Sequence, residues 1–364
     1  MAGLYVHIPL CKSKCIYCDF YSTPRAEMAE RIIEGLIQEF EYRRNEIQEP
    51  FTTIYIGGGT PSVVPPELLA RLVTHFPLAY CEEFTIEVNP DDVTDEAVRA
   101  WCEMGVNRVS MGIQSLDNSI LRIIRRRHSA EQALEAIETL RRNGIKNISC
   151  DLIYGLPGLT DEVWRESLEQ LLSKPISHLS AYCLTYNEGT LLYDMMLDGR
   201  ITPATDEEIE RQFAILRKTT AQYNFEHYEI SNFARPGLRS RHNSSYWNPG
   251  SAWLGIGPSA HSFDLSKRRI DIADTSVWLD RLPMPCDIDE ESELDRLNDN
   301  IVTALRTAQG LDLQTIDNEY TKAILDDAQK YIQHKQMSFD GRFLAIKPDY
   351  WLISDTFIRE LIQI

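Results

Sequence analysis

The sequence predicts an α/β protein in which helices cover a parallel sheet. Three observations support this fold class: six short runs rich in Val, Ile, Tyr and Phe, stretches of helical period between them, and capping boxes that open two of the helices. Strand and helix alternate six times, which is typical of parallel strands joined by helical crossovers. The pattern does not decide whether the sheet closes, closes partly or stays open.

The predicted strands follow one another with room for a helix between them. They are Leu4–Ile8, Thr53–Ile56, Phe84–Val88, Arg108–Met111, Ile148–Ile153 and His178–Leu184. The first helix is predicted where apolar residues recur at three- and four-residue spacing, at Ile32, Ile33, Leu36, Ile37 and Phe40. Two later helices begin at capping boxes, which run from Ser129 to Gln132 and from Thr205 to Glu208.

Residues that suit ligand binding follow the ends of these strands. Parallel sheets bind ligands at the carboxyl ends of their strands, in the loops that lead to the helices. The residues expected there are three cysteines after the first strand, Gly57 to Pro61 after the second, Glu87, Gln114, and Asp151 with the turn Gly155 to Gly158. We therefore expect one ligand site at this edge of the sheet.

Three units are expected along the chain: a sheet domain over residues 1–224, an aromatic- and glycine-rich segment over 225–286, and a small C-terminal domain over 287–364. The middle segment shows no clear helix through Asp264, and the proline-containing stretch 283–285 with the acidic run after it is typical of a linker. The last unit is predicted to be helical and winged, with a helix over 294–305, two shorter helices and a hairpin around 347–349.

Composition excludes some classes of protein. The formal net charge of −18 repels phosphate backbones, so no nucleic-acid partner is expected. Apolar runs are far shorter than the roughly 18 residues that span a bilayer, so no transmembrane segment is expected, which leaves only a peripheral membrane contact open. The N-terminus lacks the pattern of an export signal, so the protein is expected in the cytoplasm with reduced thiols.

Three of the eight cysteines form a tight cluster, Cys11, Cys15 and Cys18, with C-x-x-x-C-x-x-C spacing. Zinc sites usually take four ligands in two pairs, and no second pair follows, although His7 or Asp19 could complete such a site. A four-iron cluster held by three thiolates keeps an open position on one iron. The other cysteines, Cys81, Cys102, Cys150, Cys183 and Cys286, are expected to be buried apolar filler.

The motif, with an aromatic residue before its third cysteine, resembles that of the radical S-adenosylmethionine superfamily. The resemblance implies a partial (β/α)6 barrel over residues 1–224 and a 4Fe-4S cluster on Cys11, Cys15 and Cys18. It also implies that the open iron binds S-adenosylmethionine and that an electron from the cluster cleaves the sulfonium.

Contact residues for S-adenosylmethionine are implied by the same resemblance, one position at a time. The glycine run lets bare backbone approach a ligand, and in the family it meets the methionine amino group. Carboxylates suit ribose hydroxyls, and an arginine suits the methionine carboxylate. The implied contacts are Tyr5, Tyr17, Gly58, Gly59, Thr60, Glu87, Gln114, Arg126 and Asp151.

Arg126 belongs to the dense basic cluster of the chain, which spans residues 122–127. This cluster is interpreted either as a solvated helix end or as the holder of an anionic ligand.

The resemblance covers nearly the whole chain within the oxygen-independent coproporphyrinogen III oxidase-like branch. Coproporphyrinogen dehydrogenases of this branch follow the third cysteine with Gly and a fourth Cys, whereas this chain has Asp19 and Phe20. The segment from His242 to Trp247 matches the H-N-x-x-Y-W motif of the heme chaperone group of this branch. The resemblance therefore implies heme as cargo and apo-hemoproteins as clients.

His242 is the predicted heme ligand, because imidazole ligates iron and neighbouring aromatic side chains cover a porphyrin. The alternative is that His242 and Asn243 only fix a glycine-rich loop through hydrogen bonds; His261 is a weaker second candidate for the ligand.

Three functions are weighed. The leading one is a heme chaperone, supplied with electrons by a carrier such as flavodoxin or ferredoxin. The second is a coproporphyrinogen oxidase, disfavoured by the missing fourth cysteine. The third is a radical enzyme that modifies RNA, disfavoured by the charge of −18. Cleavage of S-adenosylmethionine is expected, and coproporphyrinogen dehydrogenase activity is not.

Overall fold

The computed structural model describes residues 2–363 and contains a 12-stranded sheet. From one edge to the other, the order is β12-β11-β10-β9-β1-β2-β3-β4-β5-β6-β8-β7, and a separate three-stranded sheet has the order β13-β15-β14. The strands are β1 (Ala2–Ile8), β2 (Phe51–Gly58), β3 (Glu83–Val88), β4 (Arg108–Gln114), β5 (Asn147–Tyr154), β6 (His178–Cys183), β7 (Glu226–Glu229), β8 (Asn232–Ala234), β9 (Ala252–Ile256), β10 (His261–Phe263), β11 (Lys267–Asp271), β12 (Cys286–Glu290), β13 (Leu311–Asp312), β14 (Met337–Phe339) and β15 (Phe343–Ile346).

Thirteen α-helices lie between these strands in the described part of the chain. They are α1 (Ala29–Arg43), α2 (Pro66–Val73), α3 (Asp95–Glu103), α4 (Asn118–Ile123), α5 (Ala130–Arg142), α6 (Asp161–Leu172), α7 (Leu191–Leu197), α8 (Asp206–Gln222), α9 (Arg241–Tyr246), α10 (Thr275–Asp280), α11 (Glu293–Ala304), α12 (Asn318–Gln333) and α13 (Ser354–Leu361). Among residues 2–363, no helix combines the length and the apolar character that crossing a membrane requires.

Strands β1 to β6 lie side by side in chain order, and each pairs in parallel with the next. The six predicted strands are therefore confirmed. The sheet does not close, because β1 also pairs with β9 and β6 also pairs with β8. This open α/β arrangement confirms the predicted partial barrel.

The segment over residues 225–286 adds strands to both edges of this same sheet. β7 and β8 extend it beyond β6, while β9 pairs in parallel with β1 and β10 to β12 continue outward. The segment also contains α9 and α10, and the expectation of no clear helix through Asp264 is wrong because α9 lies before that residue. The expected boundary between residues 286 and 287 falls within β12.

The helices are amphipathic, as the periodicity predicts. In α1, Ile32, Ile33, Leu36 and Phe40 are fully buried against the sheet. Both predicted capping boxes are formed, since Ser129 and Thr205 accept hydrogen bonds from N–H groups three residues later. The local signals thus fix where these helices begin.

A buried ion pair joins α1 to the added strands. Arg43 Nη1 lies 2.5 Å from a carboxylate oxygen of Glu39 and 3.1 Å from one of Asp271, and all three side chains are almost completely buried. Glu39 also accepts a hydrogen bond from the Trp278 indole at 2.9 Å. Since unpaired buried charges are costly, these contacts hold α1, β11 and α10 in fixed positions.

The C-terminal unit combines α11 to α13 with the three-stranded sheet. Two expectations need correction. α12 has 16 residues and is longer than α11, because its apolar positions Ile324, Ala328 and Tyr331 are buried over its length. The hairpin joins β14 to β15 around Gly341, whose φ of 98° suits a turn, and residues 348–353 form a 3₁₀ helix instead.

Candidate S-adenosylmethionine and cluster site

A cavity of about 520 Å³ opens at the carboxyl ends of the parallel strands. It is lined by loops that follow β1 to β6, as the topology of a parallel sheet requires. The predicted site residues that line it are Cys11, Tyr17, Cys15, Cys18, Gly58, Gly59, Thr60, Glu87, Gln114, Arg126 and Asp151. Two predicted site residues, Tyr5 and His242, do not line it.

The cysteine loop between β1 and α1 is held by backbone hydrogen bonds. The Cys11 N–H donates to the Thr23 carbonyl at 3.1 Å, and the Cys18 N–H donates to the Cys15 carbonyl at 3.3 Å. Within residues 2–363, no three Cys, His, Asp or Glu side chains are arranged so that they could hold a single metal ion. The three cysteines line one shared cavity.

The glycine loop after β2 packs directly against the cysteine loop. The Gly59 N–H donates to the Ile8 carbonyl at 2.8 Å, and the Thr60 N–H donates to the Leu10 carbonyl at 2.7 Å. A Cβ atom on Gly59 would lie 2.6 Å from the Leu10 oxygen and 3.0 Å from the Cys11 sulfur. Glycine is therefore required here by close approach of two backbones.

Glu87 stands at the end of β3 and is oriented by two donors. The Tyr55 hydroxyl donates to its Oε1 at 2.7 Å, and the Gly58 N–H donates to its Oε2 at 3.1 Å. Burial raises the pKa of Glu87 to about 7, although these hydrogen bonds act in the opposite direction. Near neutral pH this carboxyl group is thus close to its midpoint of ionisation.

Asp151 lies on β5 beside Ser110 of β4, whose hydroxyl donates to the Asp151 carboxylate at 3.3 Å. Burial raises the pKa of Asp151 to about 6. Gln114 ends β4 with a φ of 69°, which is uncommon for a residue other than glycine. Its amide nitrogen would lie 2.8 Å from a Cβ atom on Gly112, so this glycine leaves space for the Gln114 side chain.

Arg126 connects the basic segment to the cysteine loop. Its Nη1 donates to the Cys15 sulfur at 3.3 Å, and its Nη2 donates to the Asn89 side-chain oxygen at 2.5 Å and to the Gly112 carbonyl. Its Nε is buried and has no hydrogen-bond partner among the described residues. Arg126 therefore keeps one donor for a further acceptor.

The rest of the basic segment behaves differently. Arg122 and Arg125 are exposed, while Arg127 forms ion pairs with Asp91 and Asp92. The two interpretations of this segment therefore apply to different residues. Arg122 and Arg125 are exposed to solvent, whereas Arg126 is part of the cavity wall.

The two tyrosines expected near S-adenosylmethionine are separated. Tyr17 lines the cavity, and burial raises its pKa. Tyr5 lies lower in the barrel, where its hydroxyl is 3.0 Å from His7 Nδ1 and its ring is 6.1 Å from that of Tyr55. Tyr5 supports the layer beneath the cavity in this structure, and its predicted contact with S-adenosylmethionine stays a prediction.

His242 does not line the cavity; its ring stacks on that of Tyr55, with centroids 5.1 Å apart, and the Tyr55 hydroxyl donates to the cavity residue Glu87. His242 is in α9, which packs near the amino ends of β1 and β2, so that a Cβ atom on Gly3 would be 3.1 Å from its ring. His242 is fully buried, with Nδ1 2.8 Å from the Thr53 hydroxyl and Nε2 2.8 Å from the Tyr246 hydroxyl. Glu83 fixes α9 by accepting the His242 N–H at 2.9 Å.

The buried position of His242 bears on the prediction that this residue ligates heme. Both ring nitrogens of His242 are already hydrogen bonded, and burial lowers its pKa to about 3, so the ring stays neutral. The arrangement matches the alternative in which His242 fixes a loop. Ligation of heme by His242 stays a prediction, and it would require the hydrogen bond of the ligating ring nitrogen to break. His261, the weaker candidate, is exposed on β10.

Several cavity residues were not predicted from the sequence. Asn89 accepts a hydrogen bond from Arg126. Phe20 and Tyr182 are exposed residues of the cavity lining. Cys183 also lines the cavity instead of being buried filler. Asn89, Tyr182 and Cys183 sit at or just after the ends of β3 and β6. The rule that ligand sites lie at carboxyl ends of strands could therefore have identified them.

Comparison with known proteins identifies the family of this chain. Residues 5–171 match the radical SAM superfamily. The chain is 33% identical to the heme chaperone HemW of Lactococcus lactis over 87% of this chain and 84% of that protein. It is 31% identical to the heme chaperone HemW of Bacillus subtilis over 89% and 88% of the two chains.

The fold is shared with a solved enzyme at lower sequence identity. The structure of coproporphyrinogen III oxidase (HemN) from Escherichia coli aligns with a TM-score of 0.84 and 20% identity, covering 100% of this chain and 90% of that one. This likeness shows the fold alone, whereas the identities to the HemW proteins extend over most of both sequences. The chain therefore belongs to the HemW family of the radical S-adenosylmethionine superfamily.

Proposed function

We propose that this protein is a heme chaperone that binds heme and passes it to apo-hemoproteins. The observation that carries the proposal is the 30–33% identity to HemW proteins named as heme chaperones, over 84–94% of their lengths. We also propose that it holds a 4Fe-4S cluster and S-adenosylmethionine, the cofactors that its superfamily implies.

The cysteine loop fits an iron–sulfur cluster. Cys11, Cys15 and Cys18 each line the cavity. Arg126 donates to the Cys15 sulfur, and the Thr60 hydroxyl lies 3.4 Å from the Cys11 sulfur. Hydrogen bonds of this kind stabilise thiolate ligands and influence the reduction potential of a cluster.

The remaining cavity residues fit S-adenosylmethionine. The unpartnered Nε of Arg126 suits a carboxylate, and Glu87 and Asp151 offer acceptors for ribose hydroxyls. Gly59 lets the ligand approach bare backbone beside Cys11. A cluster held by these cysteines would supply reductive cleavage of the sulfonium, and the residues named here would bind and orient the ligand.

A second candidate function is oxygen-independent coproporphyrinogen oxidation, because the fold matches that of HemN. The residue where coproporphyrinogen dehydrogenases have their fourth cysteine is Phe20 in this chain, which removes a thiol from the mouth of the cavity. The HemW proteins also match in sequence more strongly than HemN does. We therefore rank the oxidase below the chaperone.

The proposed partners are heme, client apo-hemoproteins and a one-electron carrier such as flavodoxin or ferredoxin, and the proposed location is the cytoplasm. The test is to load anaerobically reconstituted protein with heme, reduce the cluster, and add S-adenosylmethionine with an apo-hemoprotein. Transfer of heme without conversion of coproporphyrinogen to protoporphyrinogen is expected. Formation of protoporphyrinogen at many turnovers would favour the oxidase instead.

A further inference from the structure

Resting on the proposed function and on ligation of heme by His242, we propose that Tyr55 couples the S-adenosylmethionine site to the heme ligand. Tyr55 is a positioning residue in this arrangement, because its hydroxyl orients Glu87 and its ring supports the imidazole of His242. The two ligands need different positions of this imidazole, so each weakens binding of the other. Binding of S-adenosylmethionine thereby promotes release of heme to a client protein.

The hydroxyl of Tyr55 reaches the wall of the cavity from inside the barrel. It donates to Glu87 Oε1 at 2.7 Å, and the Tyr55 side chain is buried. Gly57 leaves room for this contact, since a Cβ atom there would lie 2.8 Å from the Tyr55 ring and 3.0 Å from the Glu87 carboxyl carbon. Glu87 is one of the two carboxylates that the proposed function assigns to ribose hydroxyls. A ribose bound there therefore contacts a group that Tyr55 orients.

The ring of Tyr55 stacks on the imidazole of His242. The two ring centroids lie 5.1 Å apart, and the ring planes are inclined by 27°. Tyr5 packs against both, with its ring 6.1 Å from that of Tyr55 and 6.5 Å from that of His242. Because a packed interior has little free space, movement of the imidazole displaces the Tyr55 ring instead of being absorbed between them.

Heme requires the imidazole to move. The hydroxyls of Thr53 and Tyr246 each lie 2.8 Å from one of its ring nitrogens, and His242 is fully buried. A porphyrin therefore reaches a ring nitrogen only after the imidazole has left this hydrogen-bonded position. The movement also removes the imidazole from its stack on Tyr55.

S-adenosylmethionine requires the opposite arrangement. Its ribose binds to a Glu87 carboxylate that Tyr55 orients while the Tyr55 ring is stacked on His242. Ligands that favour different arrangements of the same residues shift the equilibrium in opposite directions, and the effect is mutual. S-adenosylmethionine should therefore weaken heme binding, and heme should weaken S-adenosylmethionine binding by the same factor.

The test is a hemin titration of the anaerobically reconstituted protein, with and without saturating S-adenosylmethionine, followed by heme absorption. The cluster is kept oxidised so that S-adenosylmethionine is not cleaved. The ratio of the two dissociation constants for hemin is the coupling factor. In wild-type protein S-adenosylmethionine should raise the dissociation constant by about five-fold or more. The reciprocal titration with S-adenosylmethionine should give the same factor.

Tyr55→Phe tests the role of the hydroxyl. The variant keeps a ring on His242 and removes the hydrogen bond to Glu87, so the coupling factor should fall to about one. Because the factor is a ratio within one variant, a change in the affinity for one ligand does not alter it. Tyr228→Phe is the matched control and should keep the wild-type factor. It also removes a buried hydroxyl beside a buried histidine of the barrel, since the Tyr228 hydroxyl lies 2.8 Å from His178 Nε2.

The outcomes distinguish a failure of this inference from a failure of the proposed function. Wild-type protein that does not bind hemin, or does not bind S-adenosylmethionine, would overturn both. Binding of both ligands with a hemin affinity that S-adenosylmethionine leaves unchanged or increases would overturn the coupling alone, and this result needs no variant. A factor that persists in Tyr55→Phe, or that Tyr228→Phe loses to the same extent, would overturn the role of Tyr55.

Discussion

Arg126 donates a hydrogen bond to the sulfur of Cys15 at 3.3 Å, so one guanidinium contacts the cysteine loop while its Nε remains without a partner. The preceding residue, Arg125, is exposed and lines the same cavity. We predict that Arg126→Ala weakens S-adenosylmethionine binding by about 10- to 100-fold, since a hydrogen bond to a charged group contributes about 1.5–3 kcal/mol. Arg125→Ala should change the affinity little. Equilibrium binding to reconstituted protein checks this, and equal losses in both variants would contradict the placement of the carboxylate.

The second prediction concerns the cluster. Anaerobically reconstituted protein should contain about four irons, and Cys11→Ser, Cys15→Ser or Cys18→Ser should abolish the thiolate-to-iron absorption. Cys286→Ser is the matched control, because Cys286 is a partly buried cysteine outside the cavity. Iron analysis with absorption spectroscopy makes the measurement. Stoichiometric zinc in place of iron after anaerobic isolation would contradict the assignment.

The third prediction is a pH dependence of stability. The pKa of Glu87 rises from 4.5 to about 7 on folding, so between these values the native state binds more protons than the unfolded state. The free energy of unfolding therefore falls as pH rises through this window, and Asp151 acts in the same direction. Glu87→Gln should be more stable relative to wild type at pH about 8 than at pH about 5.

Denaturant unfolding of the cluster-free protein at both pH values measures this difference. Glu96→Gln, at an exposed position on α3, serves as the control for removing one carboxylate. A constant difference between Glu87→Gln and wild type at the two pH values would show that Glu87 ionises in the native state as it does when unfolded.

The cavity was largely predictable from the sequence because parallel strands place their carboxyl ends at one edge. Cys11, Gly59 and Glu87 are far apart in the chain, yet each follows a strand, and all three line the cavity. Short local patterns were sufficient for this conclusion, since the strand order is sequential from β1 to β6.

Pairings between distant segments were not predictable in the same way. β9 pairs in parallel with β1 although about 250 residues separate them, and periodicity carries no information on that register. The motif identifies His242, but its burial depends on contacts with Thr53 and Glu83 from other strands. Residue type alone could not show that both ring nitrogens of His242 are already hydrogen bonded.

The last prediction concerns His242. Removing the imidazole leaves the hydroxyls of Thr53 and Tyr246 without their partner and opens a cavity in a fully buried region. His242→Ala should therefore lower the free energy of unfolding by about 2–4 kcal/mol. His242→Gln keeps a polar side chain of similar length and should lose less, as denaturant unfolding would show.

The same variants distinguish a structural role from ligation of heme. If His242 only fixes α9 against β2, hemin bound to His242→Gln should have the absorption bands and affinity of the wild-type complex. Tyr246→Phe is the control, because it removes one hydrogen bond from the imidazole without removing a candidate ligand. A shifted heme band in His242→Gln, together with an unshifted band in Tyr246→Phe, would instead show that the ring leaves its buried position to ligate iron.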